Sequence, residues 1–323
     1  MSGRRLHGQA SAYFSALRAF SFPASALPSL TGSVAALYLH HTLPGFSFSW
    51  LNCLLSLAGC LAIHSFSNVI NDVFDFRSGL DSNENFGQKN PIVRGAITER
   101  HMLWFAAWLF GFAVVCGVFF LWNCGVWILV PVVFGASSAY FYTAPPLKLK
   151  YRGFGDVQVM VSFGVAMTLG SYYTQAHTVF GNGLPDAATA VFVIGLSLPQ
   201  GLLISAILHA NNHRDRSSDS RFGAQTLASR LRPETSERLQ YALVFGAFFV
   251  QATLMLLPET RLPPMTALTV LSLPQAIRVA RNIRRNERPS TPAFALLVAE
   301  AARLQLAYGA AFVAGLLIDV LLM

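Results

Sequence analysis

Residues 64–98 read HSFSNVINDVFDFRSGLDSNENFGQKNPIVRGAIT, an apolar helix that runs out into a cluster of carboxylates. Asn68, Asn71, Asp72, Asp75 and Asp81 fall within fourteen positions. The pairs Asn68/Asp72 (i, i+4) and Asp72/Asp75 (i, i+3) can share one helical face. Acids at the C-terminal end of a helix meet the negative end of its dipole and repel one another, so a positive partner is expected there. Mg²⁺ suits the position, because it takes hard oxygen ligands from one or two carboxylates and completes its shell with water and substrate phosphates.

The surrounding chain places this cluster at a membrane surface. Of 323 residues, 54% are hydrophobic and 12% charged, and the mean hydropathy is +0.48. That is too little charge to cover a soluble protein of this length. Apolar runs of bilayer-spanning length lie at roughly 16–41, 49–73, 102–122, 124–143, 155–177, 186–211, 238–257, 265–282 and 293–321. The expected fold class is therefore all-α, a polytopic bundle of about nine transmembrane helices. Of the 23 Lys and Arg residues, Arg261 alone falls on the far side and Arg303 lies inside the last span, while all others share the side of the N-terminus. By the positive-inside rule the N-terminus and the large polar loops are cytoplasmic. The net charge of +8 is thus mainly a topology signal, although a basic face also attracts anionic substrates. A lipid bilayer is the expected surroundings and no nucleic-acid partner is expected. The four cysteines lie in or at the edge of apolar spans without metal-ligand spacing, which suits small core residues.

A second Asn/Asp cluster ends the sixth span: Asn211-Asn212-His213-Arg214-Asp215-Arg-Ser-Ser-Asp219. Asn211/Asp215 and Asp215/Asp219 are again i, i+4 pairs. Asn211 minus Asn68 and Asp215 minus Asp72 are both 143. This shared offset suggests two four-helix repeats plus one added helix. We expect a single transmembrane domain over 1–323, with cytoplasmic cap loops at about 74–101 and 212–237. Between the clusters, Tyr142-Thr-Ala-Pro-Pro-Leu-Lys148-Leu-Lys150-Tyr151-Arg152 brings three cations to the same face. Arg18, just inside the first span, either snorkels to the headgroups or reaches inward to a ligand. Glu300 and Arg303, i and i+3 in the last span, are expected to satisfy each other.

Two acidic clusters ringed by Lys and Arg above an apolar interior suit a diphosphate carried on Mg²⁺, with a long isoprenoid tail below. Positioned charge of this kind accelerates departure of the diphosphate. Tyr142, Phe141, Tyr172 and Tyr173 either face an allylic cation with their rings or serve as ordinary packing.

These residues resemble the UbiA superfamily of intramembrane prenyltransferases. Asn68-Val-Ile-Asn71-Asp72-Val-Phe-Asp75 is similar to its first Asp-rich motif, and Asp215-x-x-x-Asp219 to its second. Asn71-Asp72-Val-Phe-Asp75-Phe-Arg-Ser-Gly79-Leu-Asp81 and Asn211-Asn212-His-Arg214-Asp215 through Gly223-x-x-Thr226-Leu-Ala look most like the menaquinone-pathway branch, as do Tyr142-Thr-x-x-Pro and Tyr151-Arg152-Gly-x-Gly-Asp156. That branch transfers a polyprenyl chain to 1,4-dihydroxy-2-naphthoate with loss of CO₂. The resemblance implies that Asn68, Asp72, Asp75, Asp215 and Asp219 hold Mg²⁺, expected as two ions bridging to diphosphate, with Asn71, Asp81 and Asn211 nearby. Arg94, Lys148, Lys150 and Arg214 are the expected direct diphosphate contacts, and Tyr142 is the expected catalytic aromatic. The partners implied are a polyprenyl diphosphate and an aromatic acceptor. A bacterial inner membrane is the expected location, with a eukaryotic internal membrane as the alternative. The sequence departs from the family where Gly223 is followed by Ala224 and Gln225 instead of a basic residue, and where Asp156 stands in place of a common glutamate. A UbiA-type terpene cyclase is the alternative enzyme. A transporter fits less well, since the charges lie at one face and the apparent repeat is parallel.

Overall fold

The computed structural model describes residues 11–79, 90–221, 224–257, 262–285 and 292–323. Within them the secondary structure is helical throughout, and nine rods follow one another along the chain. They are α1 (Pro23–His40), α2 (Trp50–Arg77), α3 (Glu99–Cys124), α4 (Leu129–Phe141), α5 (Gly155–Val159, continuing through a π-helical stretch Met160–Ala166 into Met167–Ala176), α6 (Ala187–Arg214), α7 (Pro233–Leu256), α8 (Leu273–Arg285, entered through the 3₁₀ stretch Pro264–Ser272) and α9 (Pro292–Leu322). Local chemistry sets several starts. Ser49, Thr98 and Asp186 each accept a backbone N–H three residues on, capping α2, α3 and α6, and Pro233 opens α7 where its missing N–H costs nothing.

Each rod packs on the next in chain order, and α9 returns to pack on α1. A central core of Tyr172, Leu196, Leu203, Tyr308, Phe312 and Leu316 is fully or almost fully buried. The outward faces are the reverse of a soluble protein's: Trp108 and Trp122 are 77% and 91% exposed. Such surface is stable only against acyl chains. Gly32 lets α1 approach α5, since a Cβ there would lie 2.1 Å from the Thr168 carbonyl oxygen.

Five helices are long and apolar enough to cross a bilayer unaided: Trp50–Arg77, Glu99–Cys124, Ala187–Arg214, Pro233–Leu256 and Leu296–Leu322. The chain thus has the helices of an integral membrane protein. The nine rods coincide in position with the nine apolar runs, but the remaining four are shorter, less apolar or interrupted. The fourth run, for example, forms only the short apolar helix Val126–Phe141. One expectation is corrected. Glu300 accepts from Asn282 Nδ2 on α8, and Arg303 is exposed, so the two do not pair; the neighbouring helix offers Glu300 a donor that Arg303, turned outward, does not.

Candidate active site

The first acidic cluster lies within the last two turns of α2. Asp72 and Asp75 are only 2% and 3% exposed. The positive partner demanded by the helix end is supplied by the chain itself. Arg18 Nη2 donates to Asp72 Oδ1 at 2.5 Å, and Lys150 Nζ donates to Asp75 Oδ2 at 2.6 Å and to Asn71 Oδ1 at 3.3 Å. Tyr151 adds an O–H to Asp75 Oδ1 at 2.6 Å. Burial and the charge of Asp75 hold that phenol far above its ordinary range, so it remains a donor. Asn68 Nδ2 donates to the Leu17 carbonyl and Asn90 Nδ2 to the Asp72 carbonyl, tying the segment before α1 and the turn at 90–97 to the cluster. Asp81 lies outside the described residues.

Both cationic segments are entered through strained backbone. Arg18 (φ 53°) and Lys148 (φ 48°) sit in the left-handed region, which costs a non-glycine residue about 1–2 kcal/mol. Strain of this kind persists where surrounding contacts over-determine it; Arg18 itself pairs with Asp72, and Lys150, two residues past Lys148, pairs with Asp75.

The second cluster is built differently. α6 ends at Arg214, and past Asp215 (φ −93°, ψ 8°) a short helix follows, Arg216–Arg221. The expected i, i+4 spacing is kept in the backbone: Asp215 N–H donates to the Asn211 carbonyl at 3.0 Å and Asp219 N–H to the Asp215 carbonyl at 2.8 Å. Arg214 holds Asp215 with two N–H donations at 2.7 and 2.8 Å and reaches Asn211 Oδ1 at 2.8 Å. Asp219 is buried and accepts from Thr226 Oγ1 at 3.3 Å. Burial pushes its carboxyl up to about 7; Lys150 opposes the shift, and Asp215 and Asp75 add to it. Asn68, Asn71 and Lys150 of the first cluster and Asn211 of the second line one cavity together with Tyr142, so the two clusters meet there.

Below the clusters opens a cavity of about 310 Å³. Arg18, Asn68, Asn71, Tyr142, Lys150 and Asn211 line it at one end; Cys60, Cys116, Phe120, Ile128, Phe163 and Met167 are among its apolar walls. The structure thus gathers most of the expected residues. Of them Asn68, Asn71, Tyr142, Lys150 and Asn211 reach the cavity lining; Asp72, Asp75, Asp215, Asp219, Arg214, Arg94 and Lys148 do not, and Arg94 and Lys148 are exposed. Nor do Phe141, Tyr172 or Tyr173 line it. Tyr172 is bonded to His40 Nε2, and Tyr173 donates to the Cys124 and Asn182 carbonyls, so both serve as packing. Asp156 belongs to a buried support: it meets His209 Nδ1 at 3.1 Å, and Ser236 is shared between His209 and His213. This network fixes the end of α6 against α5 and α7.

Among the described residues no three His, Cys, Asp or Glu side chains converge on one point. The donor sets instead offer two carboxylates each with neighbouring amide oxygens, which fits a cation that draws the rest of its shell from water and phosphate.

Sequence reasoning left the partner of Arg18 open and missed Tyr151. The tyrosine was in view, but nothing local pairs it with a carboxylate 76 positions away.

Residues 25–315 match the UbiA prenyltransferase family. The UbiA prenyltransferase domain-containing protein 1 of Danio rerio is 28% identical over 315 residues, covering 97% of this chain and 86% of its own length. The 1,4-dihydroxy-2-naphthoate octaprenyltransferase of Bacillus subtilis is 26% identical over 272 residues, or 84% and 82% of the two chains. A UbiA homolog from Aeropyrum pernix K1 shares the fold at a TM-score of 0.68 and 15% identity, with 93% and 96% coverage. One from Archaeoglobus fulgidus, bound to DMAPP and Mg²⁺, does so at 0.60 and 15%, with 94% and 99% coverage. This chain belongs to the UbiA prenyltransferase family and is a prenyltransferase.

Proposed function

We propose that this enzyme transfers a polyprenyl group from its diphosphate to an aromatic quinone precursor, 1,4-dihydroxy-2-naphthoate, with loss of CO₂. The observation that carries the reading is the cavity that has cations and amides at one end and apolar walls below, beneath two facing acidic clusters. The Bacillus subtilis relative is named for this acceptor, and the Archaeoglobus fulgidus homologs were solved with DMAPP or GPP and Mg²⁺.

Asp72, Asp75 and Asn68 on one side and Asp215 and Asp219 on the other would hold Mg²⁺, expected as two ions. Mg²⁺ supplies neutralisation of the charge that grows on the departing diphosphate. Arg18, Lys150 and Arg214, each bonded to a carboxylate of these clusters, trade that carboxylate for phosphate oxygens when donor enters. Arg94 and Lys148 reach the diphosphate from the exposed side. Tyr142 faces the allylic carbon and attracts its positive charge through the ring. The apolar walls keep water from capturing the cation. The donor's C–O bond breaks with both electrons leaving on diphosphate, and the ring carbon that bears the acceptor's carboxylate supplies the pair for the new C–C bond. The carboxylate departs as CO₂, its bonding pair restoring the aromatic ring.

In this reading all nine rods cross the bilayer as one catalytic domain. The N-terminus and both clusters lie on the cytoplasmic side of a bacterial inner membrane. Product analysis by mass spectrometry tests the function: purified enzyme, Mg²⁺ and octaprenyl diphosphate should yield a prenylated naphthoquinol only when 1,4-dihydroxy-2-naphthoate is added. A cyclised hydrocarbon or terpene alcohol formed without acceptor would replace transfer with cyclisation.

A further inference from the structure

One face of α2 grips the segment that carries Arg18. His64, Asn68 and Asp72 are spaced i, i+4 and i+8, so they form a stripe along the helix. Asp72 accepts from Arg18 Nη2 at 2.5 Å, Asn68 Nδ2 donates to the Leu17 carbonyl at 3.2 Å, and His64 meets both Ser21 and Ser25. Side chains on three successive turns thus hold residues 17–25.

The bonds at His64 fix its tautomer. Ser21 Oγ lies 2.7 Å from the Arg18 carbonyl, which can only accept, so the hydroxyl proton is committed there. Towards His64 Nε2, at 3.3 Å, the same oxygen is therefore the acceptor, and Nε2 carries the proton. Nδ1 then accepts from the Ser25 hydroxyl at 2.7 Å. Phe163 meets the ring edge-on with centroids 4.8 Å apart, and His64 is only 6% exposed. The imidazole is a fixed post whose Nε2–H reaches, through Ser21, the carbonyl of Arg18.

This link bears on what happens when donor enters. Arg18 lies at φ 53°, a conformation that persists only where its surroundings over-determine it. On loading, Arg18 gives up Asp72 for phosphate oxygens, and Asn68 is shared with the metal. His64 lies two turns from Asp72, about 12 Å along the axis at 1.5 Å per residue, and of the three grips it alone stays outside that exchange.

We propose that His64 is a positioning residue: through Ser21 it holds the left-handed turn at Arg18, so that the guanidinium stays aimed at the diphosphate after Asp72 has been released. The inference rests on the reading of Arg18 as a diphosphate contact.

Inorganic pyrophosphate with Mg²⁺, titrated calorimetrically into the enzyme in nanodiscs, tests it without turnover. His64→Leu should weaken binding about tenfold. Ser21→Ala cuts the same link and leaves the imidazole's packing on Phe163 in place, and it should match that loss. His64→Gln, which keeps an N–H donor near the position of Nε2, should stay within about threefold of wild type. In an Arg18→Met background His64→Leu should add less than about twofold, because both act through one guanidinium, whereas in a Lys150→Met background it should still cost about tenfold. Unchanged affinity in His64→Leu and Ser21→Ala overturns the proposal. So does a loss of equal size with and without Arg18, or a glutamine variant no better than leucine, since either makes the effect one of packing. If Arg18→Met itself binds pyrophosphate as wild type does, the diphosphate reading of Arg18 falls, and this inference with it.

Discussion

The two acidic clusters share a spacing and differ in how their charge is held. Asp72 and Asp75 sit in an unbroken helix, buried, each matched by a cation from far along the chain. Asp215 and Asp219 lie beyond a helix end; Asp215 is held by its own neighbour Arg214, and Asp219 makes no ion pair among the described residues. In the first cluster each carboxylate already holds a cation, and loading a metal and diphosphate there means exchanging one cation for another. In the second, burial pushes the carboxyl of Asp219 up to about 7.

This contrast orders the expected effects. The largest falls on the carboxylates: Asp72→Ala or Asp215→Ala should each lower Mg²⁺-dependent turnover by about a thousandfold, as loss of a group that stabilises developing charge does. Circular dichroism should show the helical content kept, and a near-normal rate in either variant would remove that residue from the site. Next comes Lys150, which serves the first cluster and also reaches the field of Asp219. Lys150→Met should cost about a hundredfold in kcat/KM for the donor, compared with Arg214→Met, whose partner Asp215 is 25% exposed and whose loss should cost about tenfold. Steady-state kinetics with varied donor checks the order, and a larger loss at Arg214 would reverse the comparison.

A smaller effect follows from titration. A carboxyl with a pKa raised to about 7 is neutral below that pH and ionised above it, and a metal requires the ionised form. Apparent Mg²⁺ affinity should therefore be about tenfold weaker at pH 6 than at pH 8. Asp219→Asn should flatten that dependence, and an unaltered slope would assign the titration elsewhere. The smallest effects belong to Arg94 and Lys148, exposed and away from the cavity lining. Alanine at either should raise KM for the donor by about two- to threefold with kcat unchanged, as initial-rate measurements would show.

How much of this was legible depended on whether the signal was local. The repeated Asn/Asp spacing and the apolar runs are local patterns, and they located the nine rods and both clusters. The need for positive charge at the end of α2 was legible from the helix dipole, but the identity of the nearest partner was not. Arg18 and Lys150 reach their carboxylates across 54 and 75 positions, and only tertiary packing and the left-handed turns at Arg18 and Lys148 decide that. The i, i+4 spacing of Asn211, Asp215 and Asp219 was legible, and the backbone bonds from Asp215 to Asn211 and from Asp219 to Asp215 keep it. Tyr172 and Tyr173 looked like candidate cation-stabilising rings until His40 and the Cys124 and Asn182 carbonyls claimed their hydroxyls.

The central claim is that two differently charged clusters act on a single diphosphate, and a double-mutant cycle tests it most directly. The measurement is Mg²⁺-dependent diphosphate release from octaprenyl diphosphate by wild type, Asp72→Ala, Asp215→Ala and the double variant. Groups that act as one unit are strongly non-additive, so the double variant should be no slower than the slower single variant. Losses that multiply across the two sites would contradict the account and make the clusters independent.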